Sequence, residues 1–468
     1  MADLEGLISR CESVSRETLK LSAQGKKILI VTHIDADGLA SGSLVFASLM
    51  RKGADVAVRS IPDLDPRRIK ELEEANYDFY IFTDLASALV GELEAAFDAR
   101  FLIIDHHQLA ASDLANPSVL NAWQYGYDGG KEACSSTMAY FFASAIDRAN
   151  MDLSYLGVVG AVADRQDAGK GRSLTGLNRS ALEDAEAAGL VTASNDLTFT
   201  GRQTRPVHEA LALTSAPYMP GLTGSKDAVL AALIQAGVKL KDGARWRTIS
   251  ELSAEEKMKL TEVIAGAIAP SGGATDAVAS LVGEVYNLQH EDSFTPLRDA
   301  REFATLLNAC GRMGAAGVGM AVCLGDRGGA LKSAMKTLSE YRLGIGNAVQ
   351  GLMSDSSRME QHGRLVLVRA NDLVDERLLG PVTSIITSGP AFKDKVVVAL
   401  TNSGESEVKV SSRVGDSFEG DVNLGVVLRE AAEAVKGVGG GHTMAAGAKI
   451  SSTAVASFSK LVVEKISA

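Results

Sequence analysis

Short apolar runs alternate with helix-type patterns through the first part of the chain. The runs are rich in branched residues and bounded by polar positions, and they lie at residues 28–31, 55–60, 80–83 and 101–104. Continuous apolar strands separated by helices are typical of a parallel sheet that is covered on both faces. The pattern therefore predicts an N-terminal α/β domain with a doubly wound parallel sheet.

Helical spacing of apolar residues marks the segments around these strands. One predicted helix follows the first strand directly, and the others lie at residues 1–24, 66–75, 90–97 and 156–163. Asp37 is expected to cap the helix after the first strand. Gly53 is expected to end it, because glycine readily adopts the left-handed conformation that follows a helix.

The middle of the chain has helical patterns but little readable chemistry. Helices are predicted at residues 182–187 and 207–213, and a longer one is predicted after Ser253. Ser253 and Glu256 have the spacing of a capping box, in which each side chain bonds the backbone N–H of the other residue. Pro270 and the glycines that follow it are expected to end this helix. We therefore expect a mainly helical middle region.

A second α/β pattern occupies the last part of the chain, after a long helical stretch at residues 331–353. Predicted strands lie at residues 364–369, 395–400 and 407–413, and predicted helices at residues 378–386, 423–435 and 453–464. A sheet with helices of its own indicates a second domain, in which the helices pack against that sheet. The chain is therefore divided into an N-terminal domain at 1–195, a middle region at 196–330, a linking helix at 331–355 and a smaller C-terminal α/β domain at 356–468.

Composition narrows the class of protein. The 468 residues, 46% hydrophobic and 22% charged, suffice for two or three domains with substantial cores. A net charge of −11 and an aromatic content of 5% argue against a protein that coats nucleic acid non-specifically. A nuclease remains open, because the carboxylates of a metal site count as negative charge although bound cations offset them.

Cysteine use indicates a compartment. The four cysteines are widely spaced and form no Cys-x-x-Cys pair, which favours free thiols in a reducing environment. The first residues lack a basic region followed by an apolar core, and no stretch reaches the length of a membrane span. We therefore expect a cytoplasmic protein without a membrane anchor.

Acids and histidines follow the ends of the apolar segments. They are, in chain order, His33, Asp35, Asp37, Asp84, Asp105, His106, His107 and Asp164. Strand ends of a parallel sheet share one edge, where α/β proteins bind ligands. Any one of these residues could be a helix cap or part of a polar turn, but their convergence from four segments favours a site for two divalent cations. Such cations, about 3.5–4 Å apart, can share a carboxylate and activate a water against phosphorus.

The order of the motifs resembles one superfamily. The motifs are His33-Ile-Asp35-Ala-Asp37-Gly38, Thr83-Asp84, Asp105-His106-His107, Asp164-Arg165 and Gly439-Gly440-Gly441-His442. Together they resemble the DHH phosphoesterases with a DHHA1 C-terminal domain. The segment from Asn308 to Gly314 resembles the archaeal RecJ-like proteins, including the GINS-associated nuclease. The resemblance implies a DHH catalytic domain at 1–195 and a DHHA1 substrate-binding domain at 356–468.

The same resemblance implies a role for each residue of the metal set. Two Mn²⁺ or Mg²⁺ ions are expected, and their implied ligands are Asp35, Asp37, Asp84, His106 and Asp164. Asp84 is the implied bridge, Asp105 a ligand or a neighbour that orients one, and His107 the contact to substrate phosphate or leaving group. The expected catalytic residues are thus Asp84, Asp105 and His107. His33 is either a ligand or an orienting residue, because several members have three residues between this histidine and the first aspartate, whereas this chain has one.

Three further segments are candidates for substrate binding. Gly439, Gly440 and Gly441 let backbone amides approach an anion, and His442 can donate to a phosphate oxygen. Arg413 resembles the family arginine that grips a nucleotide, although a solvated strand-end arginine remains an alternative. The glycines around Arg312 either allow helices to pack closely or expose amides that contact, together with Arg312, a phosphate backbone.

The implied function is digestion of single-stranded nucleic acid from one end, in DNA replication or repair. The expected substrate is single-stranded DNA in the 5′–3′ direction, with RNA as a further substrate, and the C-terminal domain is expected to clamp the strand across a cleft. The resemblance implies GINS and the replicative helicase as partners. Two alternatives remain: a replication scaffold with little catalysis, since helicase relatives have lost these ligands, and a phosphoesterase for short oligonucleotides or cyclic dinucleotides.

Overall fold

The N-terminal sheet has five parallel strands in the order β2-β1-β3-β4-β5. The computed structural model of the chain describes residues 2–214, 217–269 and 278–467. The strands are β1 (Ile28–His33), β2 (Val56–Ile61), β3 (Phe79–Thr83), β4 (Phe101–Asp105) and β5 (Val119–Asn121). The predicted parallel α/β domain is therefore confirmed. The short strand β5 was not predicted.

Helices cover both faces of this sheet. They are α1 (Leu4–Ala23), α2 (Ala36–Met50), α3 (Pro66–Glu74), α4 (Val90–Phe97), α5 (Ser135–Ile146), α6 (Ser154–Ala163) and α7 (Gly176–Ala187). On one face Tyr80 of β3 and Phe97 of α4 are fully buried, with ring centroids 4.3 Å apart. On the other face α2, α5 and α6 pack against one another. Residues 36–45 of α2 are all buried, which places the start of this helix inside the domain.

The cap of α2 differs from the prediction. Asp35, and not Asp37, is the N-cap: its carboxylate accepts a hydrogen bond of 2.9 Å from the backbone N–H of Gly38. Asp35 has the extended backbone that an N-cap requires, with φ −78° and ψ −178°. Asp37 lies in the first helical turn instead and is fully buried. The predicted left-handed position of Gly53 is confirmed by its φ of +76°.

The middle region is mainly helical, as predicted, and it also contains strands that the sequence pattern did not indicate. The helices are α8 (Val207–Ala212), α9 (Lys226–Gln235), α10 (Ala254–Ile268), α11 (Ala300–Arg312) and α12 (Ala316–Cys323). The strands are β6 (Val191–Leu197), β7 (Lys241–Asp242), β8 (Arg245–Trp246) and β9 (Val282–Leu288), and β6 pairs antiparallel with β9. The capping box of Ser253 and Glu256 is confirmed at the start of α10. The predicted break at Pro270 lies outside the described residues.

The chain divides into two compact units. The first comprises Met1–Ala212 with Gly224–Leu338, and within it α11 and α12 pack against α2 of the N-terminal sheet domain. The second comprises Leu213–Thr223 with Ser339–Ala468. The long helix α13 (Gly329–Ser354) begins in the first unit and continues in the second. The division into domains at residues 195, 330 and 355 stays a prediction.

The second unit contains a six-stranded mixed sheet in the order β10-β11-β12-β13-β15-β14. Its strands are β10 (Met359–His362), β11 (Leu365–Arg369), β12 (Val396–Ser403), β13 (Glu407–Val414), β14 (Val438–Gly441) and β15 (Ala445–Ser451). Its helices are α14 (Leu379–Thr387), α15 (Leu424–Ala434) and α16 (Val455–Ser467). The core includes Leu428 of α15 and Phe458 of α16, both buried against the sheet. The predicted C-terminal α/β domain is thus confirmed.

Short 3-10 helices complete the described secondary structure, at Ala111–Asp113, Ala122–Tyr125, Arg148–Leu153, Ile249–Glu251, Ser356–Arg358 and Ser452–Ala454. Among the residues that the structure describes, no helix combines the length and the apolar character needed to cross a membrane.

Candidate metal centre

Three strands bring the predicted metal residues to one edge of the N-terminal sheet. His33 ends β1, Asp84 follows β3, and Asp105 ends β4. The N-terminus of α2 and the C-terminus of α6 contribute the remaining aspartates. Within each of three overlapping groups, ligand-type atoms lie within 4.8 Å of one another. The groups are His33 with Asp35 and Asp84; Asp37 with His106 and Asp164; and Asp84 with Asp105, His106 and His107.

Asp84 belongs to the group of His33 and Asp35, and it also faces His106 of the second group. Its Oδ2 is 3.4 Å from Nδ1 of His33, and its Oδ1 is 3.4 Å from Nε2 of His106. The side chain is almost fully buried, and the backbone φ is +59°, a conformation that aspartate tolerates better than most residues. Each carboxylate oxygen therefore faces a different group of ligand-type side chains.

His106 presents one ring nitrogen to the acids. Its Nδ1 lies 2.6 Å from the carbonyl oxygen of Gly129, to which it can only donate, so Nε2 is the atom that faces Asp84 and Asp164. This Nε2 is buried and has no hydrogen-bond partner within the described residues. Burial alone would lower the pKa of His106, but the nearby carboxylates of Asp84 and Asp164, at 3.4 and 3.2 Å from Nε2, raise it well above its usual value. The surroundings thus favour a cation at Nε2.

Asp37 and Asp164 experience strong mutual repulsion. Backbone N–H groups at the start of α5 hold Asp37, with Ser135 donating to Oδ2 at 2.8 Å and Ser136 donating to Oδ1 at 2.9 Å. Burial and the charge of Asp84 nevertheless raise the pKa of Asp37 to about 6. Burial and the charge of Asp37 raise the pKa of Asp164 well above its usual range. Positive charge between these carboxylates would relieve the repulsion.

His33 and Asp35 form a close pair at the other side of Asp84. His33 Nδ1 lies 2.9 Å from Asp35 Oδ2. Burial opposes the charged forms of both residues, but the attraction between them is stronger. Asp35 raises the pKa of His33 well above its usual value, and His33 holds the pKa of Asp35 well below its usual value. The structure therefore places His33 within ligand distance of this group despite its short spacing from Asp35.

Asp105 is surrounded by donors. Its Oδ2 accepts from the Ser87 hydroxyl at 2.7 Å, and its Oδ1 accepts from the His106 backbone N–H at 2.8 Å and from His107 Nδ1 at 2.9 Å. The charge of Asp105 raises the pKa of His107 to about 9, although burial opposes it. The His107 side chain is half exposed. These contacts favour Asp105 as the residue that orients His107, over Asp105 as a ligand.

The side chains of these three groups are of the types that bind divalent cations. Carboxylate oxygens with one or two imidazoles suit Mn²⁺ and Mg²⁺. Two observations indicate that positive charge belongs here, namely the unpartnered Nε2 of His106 and the raised pKa values of Asp37 and Asp164. The ligand assignments of the individual residues stay predictions.

Several polar residues around the site were missed by sequence reasoning. The Ser135 hydroxyl lies 3.1 Å from Asp84 Oδ1 and 3.2 Å from Asp105 Oδ1. Gln166 Nε2 donates to the Gly129 carbonyl at 2.9 Å, the same oxygen that orients His106. The run of small hydroxyl residues at the start of α5 was the available signal for Ser135, whereas nothing in the local sequence indicated Gln166.

The segment from Asn308 to Gly314 contacts residues 34–36, which join β1 to α2 and are here called the metal-site loop. Asn308 Oδ1 accepts a hydrogen bond of 3.1 Å from the Ala36 backbone N–H. Gly311 packs so closely that an added Cβ would overlap the carbonyl oxygen of Ile34. Close packing therefore explains Gly311, which was one of the two interpretations of this segment. Arg312 ends α11 and is partly buried, and its contact to a phosphate backbone stays a prediction.

The C-terminal candidates lie in the second unit. Gly439, Gly440 and Gly441 lie between helix α15 and strand β15, where they form most of strand β14 and precede the turn that joins β14 to β15. The turn begins at the exposed His442, whose backbone N–H donates to the Ala445 carbonyl at 2.8 Å.

Arg413 pairs with Ala445 in the sheet ladder, which places it near that turn. The guanidinium is held, with Nε 3.0 Å from the Ser384 hydroxyl and Nη1 2.7 Å from the Ser412 carbonyl oxygen. The alternative of a freely solvated arginine is therefore not favoured.

Three domain families match the chain in order. The DHH family N-terminal domain matches residues 27–159, the DHH-CID domain residues 199–282 and the DHHA1 domain residues 383–468. Together these matches span more than half of the chain, and they agree with the parallel sheet, the helical middle region and the C-terminal sheet. The chain belongs to the DHH/DHHA1 superfamily and has a RecJ-like fold.

Particular relatives extend this picture. An uncharacterised protein of Methanocaldococcus jannaschii is 28% identical over 448 residues, covering 94% of this chain and 93% of its own length. CDC45 of Entamoeba histolytica has a TM-score of 0.67 at 10% identity, covering 98% of this chain and 99% of that one. RecJ of Thermus thermophilus in complex with Mn²⁺ has a TM-score of 0.59 at 17% identity and covers 98% of this chain. This chain spans only 54% of that RecJ, and at such identities the two structural likenesses show the fold alone.

Proposed function

We propose that this protein is a two-metal-dependent phosphodiesterase that digests single-stranded nucleic acid from an end. The observation that carries the proposal is the position of Asp84, whose two oxygens face separate groups of ligand-type side chains. One cation would be held by Asp35 and Asp84, with His33 beside them. The other would be held by Asp37, Asp84, His106 and Asp164. Bound cations of this kind supply an activated water and a counter-charge for the phosphate.

His107 is the proposed contact to the substrate. Asp105 raises the pKa of His107 to about 9, which favours the charged imidazolium, and the imidazolium can donate a hydrogen bond. Its half-exposed position beside the buried acids suits a group that stabilises charge on the phosphate or the leaving oxygen. Asp105 acts by orienting this ring, and Ser135 by holding the carboxylates of Asp84 and Asp105.

Single-stranded nucleic acid is the proposed substrate because RecJ structures with bound Mn²⁺ share the fold. In the second unit, Arg413, His442 and the glycines of β14 are proposed to bind the substrate. DNA in the 5′–3′ direction is the preferred substrate in this proposal, with RNA as a further one. A role in DNA replication or repair, with GINS and the replicative helicase as partners, is proposed from the resemblance of the motifs to the RecJ-like proteins, and the fold likeness to CDC45 is compatible with it.

Digestion of end-labelled strands tests the proposal. Single-stranded DNA and RNA of matched sequence, labelled at either end, are incubated with Mn²⁺, with Mg²⁺ and with chelator. Shortening from one end that requires a divalent cation is the expected result, and the label that is released first reports the direction. Intact polymers at saturating Mn²⁺ would contradict the proposal.

A replication scaffold is the second candidate function, favoured by the CDC45 likeness over the full length of both chains. A scaffold has no need of ligand-type side chains, whereas this chain keeps all of them at one site. The same digestion separates the two functions, and a matched dinucleotide separates both from an enzyme that acts on small nucleotides. Cleavage of the dinucleotide without cleavage of the polymers would favour the small-nucleotide alternative.

A further inference from the structure

A polar cavity of about 370 Å³ lies in the first unit, apart from the residues of the metal centre. Strand β9, the segment after it and the start of the middle region form its walls. The lining residues that matter here are Arg202, Gln203, Asn287, Gln289, Phe294 and Arg298. Sites for small organic groups are usually concave, with a volume above about 300 Å³ and a few fixed polar groups. The cavity has the volume of such a site, its lining is polar apart from Phe294, and the proposed function leaves it without a role.

An amide at the cavity wall has a fixed orientation and a spare donor. Asn287 Oδ1 accepts from Arg202 Nη1 at 2.9 Å and from Gln203 Nε2 at 3.3 Å. These two donors determine which end of the amide is oxygen. Its Nδ2 therefore points away from them, and it has no hydrogen-bond partner in residues 2–214, 217–269 and 278–467. Such a donor suits the carbonyl oxygens and ring nitrogens of a nucleobase.

An aromatic ring stands at the rim of the cavity. Phe294 is 47% exposed and has φ +66°, which is rare for a bulky residue and points to a local constraint. The guanidinium carbon of Arg245 lies 4.7 Å from the ring centroid, and Glu251 holds that guanidinium at 2.6 Å. The ring is thus fixed by a cation and leaves much of its surface exposed. Exposed aromatic faces bind unpaired bases by stacking.

The charge of the wall also suits nucleic acid. Arg298 Nη1 donates to the backbone carbonyls of Leu288 and Glu291, at 2.7 and 3.2 Å, and no carboxylate in the described part of the chain pairs with it. Arg202 is neutralised by Asp196 and has a buried Nε without a hydrogen-bond partner among the described residues. The lining carboxylate of Glu251 pairs with Arg245, so the charge that the wall retains for a phosphate is that of Arg298.

We propose that this cavity binds an unpaired nucleobase of a single-stranded substrate, with the base stacked on Phe294 and hydrogen-bonded to Asn287 Nδ2. The proposal rests on the proposed function, since it assigns a second contact to the same strand. Arg298 supplies the charge that attracts the neighbouring phosphate.

Helix α11 relates the cavity to the metal centre. Its N-cap is Asp299, directly after Arg298, and its residue Asn308 bonds the Ala36 backbone in the metal-site loop. The nine helical residues from Ala300 to Asn308 make eight steps, a rise of roughly 12 Å. A base in the cavity would therefore belong to a different nucleotide from the one at the metal centre.

Binding of a labelled 12-nucleotide oligothymidylate in chelator tests the inference. Fluorescence anisotropy gives the dissociation constant for the wild-type chain and for Phe294→Ala, Phe294→Tyr and Asn287→Asp. Loss of one stacked base weakens binding by about 5- to 150-fold, which we expect for Phe294→Ala, whereas Phe294→Tyr keeps the stack and should bind as the wild type does. Asn287→Asp keeps the acceptor for Arg202, removes the spare donor and adds a negative charge, so it should also weaken binding. Met258→Ala, at a residue of α10 that is 61% exposed, is the matched control and should change nothing.

The outcomes separate this inference from the proposed function. Equal affinity of the wild-type chain, Phe294→Ala and Asn287→Asp would overturn the inference even if the wild-type chain digests the oligomer. Phe294-dependent binding without any digestion in Mn²⁺ would support the inference while the proposed exonuclease fails. Binding of thymidine monophosphate is measured in the same way. If it binds as tightly as the oligomer, and with the same dependence on Phe294, the cavity binds free nucleotides. The assignment of the cavity to a single strand would then be wrong.

Discussion

Asp84 combines three properties that single it out among the acids of the N-terminal sheet. It is buried, it has a left-handed backbone conformation, and its two oxygens face different groups of ligand-type side chains. An asparagine would keep the shape and tolerate the backbone, but it would place an amide nitrogen where one cation is proposed to bind. The role of Asp84 can therefore be separated from its contribution to the fold.

We predict that Asp84→Asn lowers turnover of a cleavable strand by at least about 100-fold, because residues that only support ligands already account for 10- to 100-fold in metal affinity. The metal-free variant should unfold at the same temperature as the wild-type chain or higher, since a repelling charge has been removed. Turnover in saturating Mn²⁺ and thermal denaturation in chelator measure the two effects. Asp98→Asn is the matched control, because Asp98 also has a positive φ, +56°, but is exposed.

The gathering of the candidate metal ligands at one place could be predicted from the sequence, whereas the residues that hold them in position could not. His33, Asp84 and Asp105 lie at strand ends, and parallel strands bring such ends together by their geometry. Gln166 acts through the Gly129 carbonyl, a contact between loops that no local pattern encodes. Asp37 was expected at the cap, because the pattern does not show which of two nearby aspartates has the extended backbone.

At the scale of elements, the packing of α11 against the metal-site loop depends on Gly311. We predict that Gly311→Ala destabilises the chain by about 1–3 kcal/mol, the usual effect of overpacking, and weakens Mn²⁺ binding because the carbonyl of Ile34 must move. Gly317→Ala is the control: Gly317 lies in α12 with open space around it, so the change should be neutral or stabilising by up to about 1 kcal/mol. Denaturant unfolding and Mn²⁺ titration measure both variants. Equal behaviour of the two would show that the close contact has no effect.

The start of α10 provides a pH-dependent test. Arg247 grips Glu256 with Nη1 to Oε1 at 2.7 Å and Nη2 to Oε2 at 2.9 Å, and lowers the pKa of Glu256 to about 2. Because the folded pKa lies below the ordinary 4.5, the stabilisation is fully present above about pH 4.5 and is lost as the pH falls towards 2. We predict that Glu256→Gln lowers the unfolding free energy at pH 7 by about 1–3 kcal/mol. The difference between variant and wild-type chain should shrink at pH 3.

The neighbouring Glu255 provides the control for this experiment. Its side chain is 71% exposed and pairs only at the surface with Lys259. Glu255→Gln should therefore change the unfolding free energy by less than about 0.5 kcal/mol at either pH. A loss as large as that of Glu256→Gln would mean that the helix responds to charge in general and not to the pair of Arg247 and Glu256.

Elements with strong patterns were predicted and those with weak patterns were not. Strand β1 begins with a continuous apolar run, and the capping box of Ser253 and Glu256 marks the start of α10. Strand β6, Val191–Leu197, carries Ser194, Asn195 and Asp196 and forms because β9 pairs with it across a long separation in sequence. Strand β14 is largely glycine, a residue that is depleted in strands, so its pairing with β15 could not be read from propensity.

At the scale of the whole molecule, each of the two compact units has candidate functional residues of its own. The metal residues lie in the first unit, and Arg413 and His442 lie in the second. We predict that His442→Ala raises the Michaelis constant for a single strand by roughly 10- to 150-fold, the loss of one hydrogen bond to a charged group, while the number of bound Mn²⁺ ions stays unchanged. Steady-state kinetics with metal analysis of the same sample measure this. Loss of bound Mn²⁺ in His442→Ala would show that this histidine has been misplaced.

The number of Mn²⁺ ions bound by the metal-free chain tests the central claim most directly. Electron paramagnetic resonance during a Mn²⁺ titration counts the bound ions and reports whether they interact. We predict two ions per chain with a magnetically coupled signal, and loss of the coupled signal in Asp84→Asn, because Asp84 faces both groups of ligand-type side chains. A single bound ion, or two ions that remain coupled in Asp84→Asn, would contradict the account.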